Sequence, residues 1–119
     1  MPARAQAPVG ADDFRAGTAG ALARLCAAGE ADPARDLAHG FCHGQLAAVA
    51  QLHGALTRAD GPFRPFYCPP PEAPRMADVA ARFAAWAAAE PRRGAEAAVD
   101  GLLRFAAETY PCATRGGRR

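Results

Sequence analysis

The sequence predicts an all-α fold: a small bundle of about four helices, built as two helical hairpins and stapled by two disulfides. Three observations predict it. Apolar residues recur every three or four positions in four separate stretches. No stretch carries the alternation of period two that a half-buried strand needs. Four cysteines fall into two pairs, each symmetric about a proline-marked turn.

Taken in order, Asp12 and Asp13 are placed to cap a first helix, on which Phe14, Thr18, Ala21 and Leu25 share a face. Gly29 should stop it. Asp32 and Pro33 restart the chain as N-cap and first helical residue. Leu37, Phe41, Ala48, Leu52 and Leu56 then give the second helix an apolar face. The connection "RADGPFRPFYCPPPEAP" is too rich in Pro and Gly for helix or central strand. Met76, Val79, Phe83 and Trp86 mark an amphipathic third helix that Pro91 interrupts. On the last helix Val99, Leu102, Phe105 or Ala106, and Thr109 are expected to face inward, and Pro111 ends it. Glu96, Asp100, Arg104 and Glu108, four residues apart, read as a solvated ladder rather than a carboxylate active site. The expected organisation is a flexible terminus at 1–11, one helical domain at 12–112, and a flexible terminus at 113–119. The expected core is Leu22, Leu25, Phe41, Leu52, Val79, Phe83, Trp86, Leu102 and Phe105.

Half of the 119 residues are apolar, but many are alanine, which favours helix and buries little area. A thin core in a small domain is where disulfides are usually added. In an antiparallel hairpin, residues equally far from the turn lie side by side. Cys26 and Cys42 are centred on position 34, beside Asp32-Pro33; Cys68 and Cys112 are centred on position 90, at Glu90-Pro91. The pairing predicted is therefore Cys26–Cys42 and Cys68–Cys112. Closing loops of about 17 and 45 residues is worth roughly 3 and 4 kcal/mol in the loop-entropy model. Disulfides imply an oxidising compartment; the alternative is a cytosolic chain with four free thiols. The start "MPARAQAPVGADDF" has no apolar segment of a signal peptide, so the chain is expected to be a mature or trimmed form.

Composition excludes several functions. Ser is absent, so there is no serine nucleophile. Lys, Ile and Asn are absent too, as in a GC-rich genome, and the arginines are scattered among acids rather than clustered for nucleic acid. The formal net charge is +2, and no apolar run is long enough to span a bilayer. The stretch "HGFCHGQLAAVAQLH" holds all three histidines. His39 and His43 lie one turn apart, but no second ligand cluster appears, and Cys42 points about 60° from His39 on the helix. Adjacent Cys42 and His43 point apart, so they form no nucleophile–base pair. No cofactor or metal is expected, and the histidines read as structurally neutral. Gly40 and Gly44 flank Cys42 and suggest close approach of a neighbouring helix at the staple.

The order Leu25-Cys26, "FCHGQLAAV", "FYCPP", "AAEP" and "TYPC" resembles the Rap/Tai family of immunity proteins, small periplasmic proteins associated with type VI secretion. The resemblance covers about residues 22–112. Gln45 stands where the family commonly has Tyr, Ala48 where a second Gly is common, and Tyr110 where Phe precedes Pro-Cys. The resemblance implies a non-enzymatic, disulfide-bonded helical protein that neutralises a toxic effector, for which peptidoglycan amidases are the best-known targets. A homodimer is a further expected association; nucleic acid and membrane are not expected partners. The competing reading is a small periplasmic helical chaperone or structural protein. The expected partner surface is the connection carrying Arg58, Phe63, Arg64, Phe66 and Tyr67, stiffened by Pro62 and Pro65, with Arg92 and Arg93 at the Glu90 turn as a second candidate. The aromatics of the connection either protrude into a partner's cleft or fold back as a lid on the helices.

Overall fold

The computed structural model describes residues 6–113. The first five residues and the basic tail from 114, expected to be flexible, lie outside the described residues. Five helices follow a 3₁₀ turn at Asp13–Arg15: α1 Ala19–Cys26, α2 Arg35–Leu56, α3 Met76–Ala89, α4 Pro91–Gly94 and α5 Ala98–Thr109. No strand forms among the described residues. Both predicted disulfides are present, Cys26–Cys42 with Cα atoms 5.2 Å apart and Cys68–Cys112 with 4.8 Å. The first ties α1 to α2. The second joins the segments just outside α3 and α5, where the Cys68 N–H also donates to the Tyr110 carbonyl at 2.8 Å.

The first helix is shorter than the periodicity suggests. Asp12 and Asp13 begin only a 3₁₀ turn, without a side-chain cap, because the chain breaks at Ala16, whose φ of 48° is left-handed. That conformation costs a non-glycine residue about 1–2 kcal/mol. Thr18 is the N-cap of α1, its hydroxyl accepting the Ala21 N–H at 3.1 Å. A single antiparallel bridge, Thr18 with Ala97, joins the starts of α1 and α5. Through it Ala19 donates to the Glu96 carbonyl and Ala98 to the Gly17 carbonyl, at 2.8 and 3.2 Å. Two helix N-termini thus satisfy each other's free amides. α2 begins at Arg35, two residues later than expected, and the Asp32 carboxylate ahead of it takes the Ala34 and Val9 amides, both at 2.9 Å. Residues 6–10 run beside α1. Arg24 reaches the Ala7 and Pro8 carbonyls at 3.1 Å and pairs with Asp13 at 3.0 Å, while the Gln6 side chain donates to the Arg24 carbonyl at 2.8 Å. The Arg24 hydrogen bond holds the Asp13 carboxyl below its ordinary range.

α1 packs against all four other helices, and Leu22 and Leu25 are fully buried. Its neighbours come close because small residues face it. A Cβ on Gly101 would sit 2.7 Å from the Ala19 Cβ, and one on Gly20 would sit 3.0 Å from the Gly94 carbonyl oxygen. Phe83, also fully buried, meets Phe105 edge-on at 5.6 Å. Of the expected core, Leu22, Leu25, Phe83, Leu102 and Phe105 are buried, and Val79 is packed against them in part. Trp86 is only half-buried, at the rim. Its indole N–H donates to Glu108 at 2.8 Å, and the Arg93 guanidinium lies 4.6 Å above its ring. A polar edge needs a polar partner, and one exists only at the surface.

Phe41 and Leu52 are not core, and Leu37, Leu56 and Val99 stay exposed. The buried residues of α2 are Ala38, Cys42, Leu46 and His53; three of them lie one position on from Leu37, Phe41 and Leu52, and Leu46 continues the same face. One residue is 100° on a helix, and the Cys42 sulfur must point at α1. Gly40 and Gly44 make no close approach either: a Cβ on either would meet nothing within 4 Å.

Gly101→Ala should therefore destabilise the protein by about 1–3 kcal/mol, overpacking outweighing the gain in helix propensity. Gly44→Ala should stabilise it by up to about 1 kcal/mol. Denaturant unfolding of both variants checks the pair. Trp86→Phe keeps the ring in the core edge but loses the Glu108 bond and weakens the Arg93 contact. It should cost about 1 kcal/mol by the same measurement.

Candidate functional site

α1 is eight residues long and α2 twenty-two. Stapled to α2 at Cys26–Cys42, α1 has about two turns and is too short to flank the whole of α2. Past Val49 the α2 surface overhangs. Leu52 is 59% exposed and Leu56 46%. The connection after α2 turns back beside this overhang, and the start of α5 closes the other side. The result is an open groove of about 610 Å³. Its floor is Ala48, Val49, Leu52, His53 and Leu56; its walls are Pro62, Phe63, Arg64 and Phe66 on one side and Val99 and Leu103 on the other. Among these lining residues there is no carboxylate, and Arg64 is the one charged side chain.

The loop therefore neither protrudes free nor closes as a lid. Phe63 and Phe66 remain 58% and 65% exposed. Tyr67 does not share that exposure: it is buried and stacks on the His53 ring, centroids 4.1 Å apart. Burial raises its phenol above the ordinary value. The Phe66 amide donates to His53 Nε2 at 3.0 Å. Burial also holds the His53 imidazole below its ordinary value of 6.5. Read from the sequence as a neutral bystander, His53 is instead the one polar side chain counted as buried among the described residues.

The other histidines are structural as well. His39 Nε2 lies 2.8 Å from the Ala28 carbonyl, pinning the turn between α1 and α2, and its ring stacks with His43 at 6.2 Å. Cys42 is held in its disulfide and offers no thiolate. Among the described residues, no group of three or more His, Cys, Asp or Glu is arranged to hold a metal. No described helix is long and apolar enough to cross a membrane.

At the second candidate surface, Arg93 is already engaged. Besides covering Trp86, it donates to the Trp86 carbonyl at 2.9 Å and pairs with Glu90 at 3.4 Å. Arg92 is exposed. Arg58, at the start of the loop, is exposed as well. The structure brings Phe63, Arg64 and Phe66 together in the groove and leaves Arg92 and Arg93 with Glu96, Arg104 and Glu108 in a separate charged patch.

The α2 floor of the groove was hidden in the sequence by a phase error. Taking Cys42 as the inward marker, Ala38, Cys42, Leu46, Val49 and His53 recur by four and three, a complete inward face. Leu37, Phe41, Ala48 and Leu52 then fall on an outward flank, too apolar for a solvated surface, while Leu56, in line with Ala38, stays exposed at the far end of the helix.

A family model described as Rap1a immunity proteins matches residues 18–112. No curated protein and no solved structure matches the chain. The matched span runs from the N-cap of α1 to the last disulfide cysteine and takes in both bridges. With that match over most of its length, the two disulfides and the helical fold, the chain belongs to the Rap1a immunity protein family.

Proposed function

We propose that the chain binds a secreted toxic effector through the apolar flank of α2 and the groove beside it, and neutralises the effector by occupying it. The observation that carries this reading is the unpartnered stripe of Leu52 and Leu56 facing Phe63, Phe66 and Val99. Exposed large apolar side chains gathered in one place mark an interaction surface. Gly40 and Gly44 support it. Each weakens the helix by about 1 kcal/mol without easing any internal contact, so a close approach from outside is their physical use.

The occupant is an apolar segment of the effector flanked by acidic residues. Apolar lining selects the segment, while Arg64 in the wall and Arg58 nearby select the flank. The loop is a receptor wall in this reading, not a finger. Two disulfides favour an oxidising compartment, which for such a family is the periplasm. Type VI secretion and a cell-wall amidase as the target are the finer parts of the proposal, and they rest on the family resemblance.

The test is Leu52→Ser with Leu56→Ser, assayed against the product of the adjoining reading frame. Both side chains are exposed, so unfolding free energy should change by no more than about 0.5 kcal/mol each. Protection of cells should be lost and affinity for the purified effector should fall at least about 30-fold, as at a binding hot spot. Full protection by a normally folded variant would sink the proposal. A dimer of the free protein that the same substitutions dissolve would instead make a second copy the occupant. Capture of unrelated unfolded chains would favour a chaperone.

A further inference from the structure

We infer that His53 positions the groove: with its ring neutral, Nε2 accepts the Phe66 amide and seats the loop wall, and a proton on Nε2 unseats that wall. The consequence for the partner rests on the reading proposed above, but the latch itself does not.

The geometry leaves the ring one workable state. A backbone amide can only donate, so Nε2 at 3.0 Å from the Phe66 nitrogen must carry a lone pair. The neutral ring therefore keeps its proton on Nδ1. In the imidazolium both nitrogens carry protons, and Nε2–H would face the Phe66 N–H. One hydrogen bond is then lost and replaced by a repulsion between two donors. The stacked Tyr67 ring and the nearby Phe66 ring, 4.1 and 6.0 Å away, enclose the same imidazole, so these two residues of the loop register the change directly.

The groove lining offers the cation no carboxylate. From the loop, the charged side chain lining the groove is Arg64, of like sign, and the Tyr67 phenol is neutral. From α5 the groove receives only Val99 and Leu103. At the end of α2, the C-cap Thr57 uses its hydroxyl on the His53 carbonyl at 2.7 Å, not on the ring. Burial accordingly places the titration of His53 below the ordinary 6.5.

The far end of the loop is anchored independently. Cys68 follows Tyr67 and is fixed by its disulfide and by its amide bond to Tyr110. Release at His53 therefore frees the wall without unfolding the chain. The sign follows from linkage. The unfolded chain binds a proton near 6.5 and the folded protein only below that, so the latch is closed above about 6.5. It is lost as pH falls through the lower folded value. The groove is thus assembled at neutral pH and opens on acidification below the ordinary imidazole value.

The experiment is NMR of the full chain from pH 7.5 to 5, following the His53 ring and the protection of the Phe66 amide. Two variants accompany it: His53→Gln, whose Oε1 stands where Nε2 was and does not titrate, and His53→Phe, which fills the space without an acceptor. Phe66 protection in the wild type should fall about five- to tenfold, the equivalent of one net hydrogen bond, in step with the ring. His53→Gln should keep protection across the range, and His53→Phe should lack it at every pH. A Phe66 amide indifferent to a titrating His53, or an unchanged pH response in His53→Gln, would overturn the latch. Affinity for the product of the adjoining reading frame, measured at the same pH values, separates the two readings. A latch that titrates while affinity stays flat overturns the groove as the binding site and leaves the latch standing.

Discussion

Everything in this fold is arranged around α1, a helix of two turns that touches every other helix. A helix so short cannot stabilise itself, because nucleation is costly and few of its hydrogen bonds repay it. It is held from outside: by the bridge between Thr18 and Ala97 at its start, by the disulfide at Cys26 at its end, and by contacts close enough that Gly101 and Gly20 admit no side chain. Alanine and glycine dominate these contacts, so little apolar area is buried per residue and proximity replaces bulk. The cysteines constrain the unfolded chain and supply what a larger core would otherwise supply.

The shortness of α1 also bears on the groove. The chain breaks at Ala16 and restarts at Thr18, so α1 has eight residues against the twenty-two of α2 and cannot flank its whole length. The overhanging turns of α2 are left to the proline-rich connection and to α5, which border them without closing over them. Leu52 and Leu56 stay in water while the domain folds around Leu22, Leu25 and Phe83. So thin a core still leaves large apolar side chains outside, and these are the ones that the proposed effector site uses.

Polar groups do the remaining positioning. Arg24 binds the incoming segment to α1, Arg93 and Glu108 cover the Trp86 edge, and His53 holds the loop. Each is a single side chain that links segments far apart in the chain. This is why Arg93, an attractive interface residue by composition, is occupied within its own fold, while Arg64 remains available at the groove.

The sequence by itself determined the helical class, the two hairpins and the cysteine pairing. Periodicity is a local property, and distance from a turn fixes which residues of a hairpin meet. Phe63, Arg64 and Phe66 were legible as surface aromatics and a cation in a stiff connection, for the same compositional reason. Only the tertiary structure decided which flank of α2 faces inward, that His53 is a buried acceptor, and that the loop is a wall. A one-residue change of phase turns a helix by 100°, so Phe41 and Cys42 cannot both face α1, and amphipathic counting prefers the phenylalanine. The sulfur takes that place because its partner at Cys26 lies there, a fact of three-dimensional reach that no single helix contains.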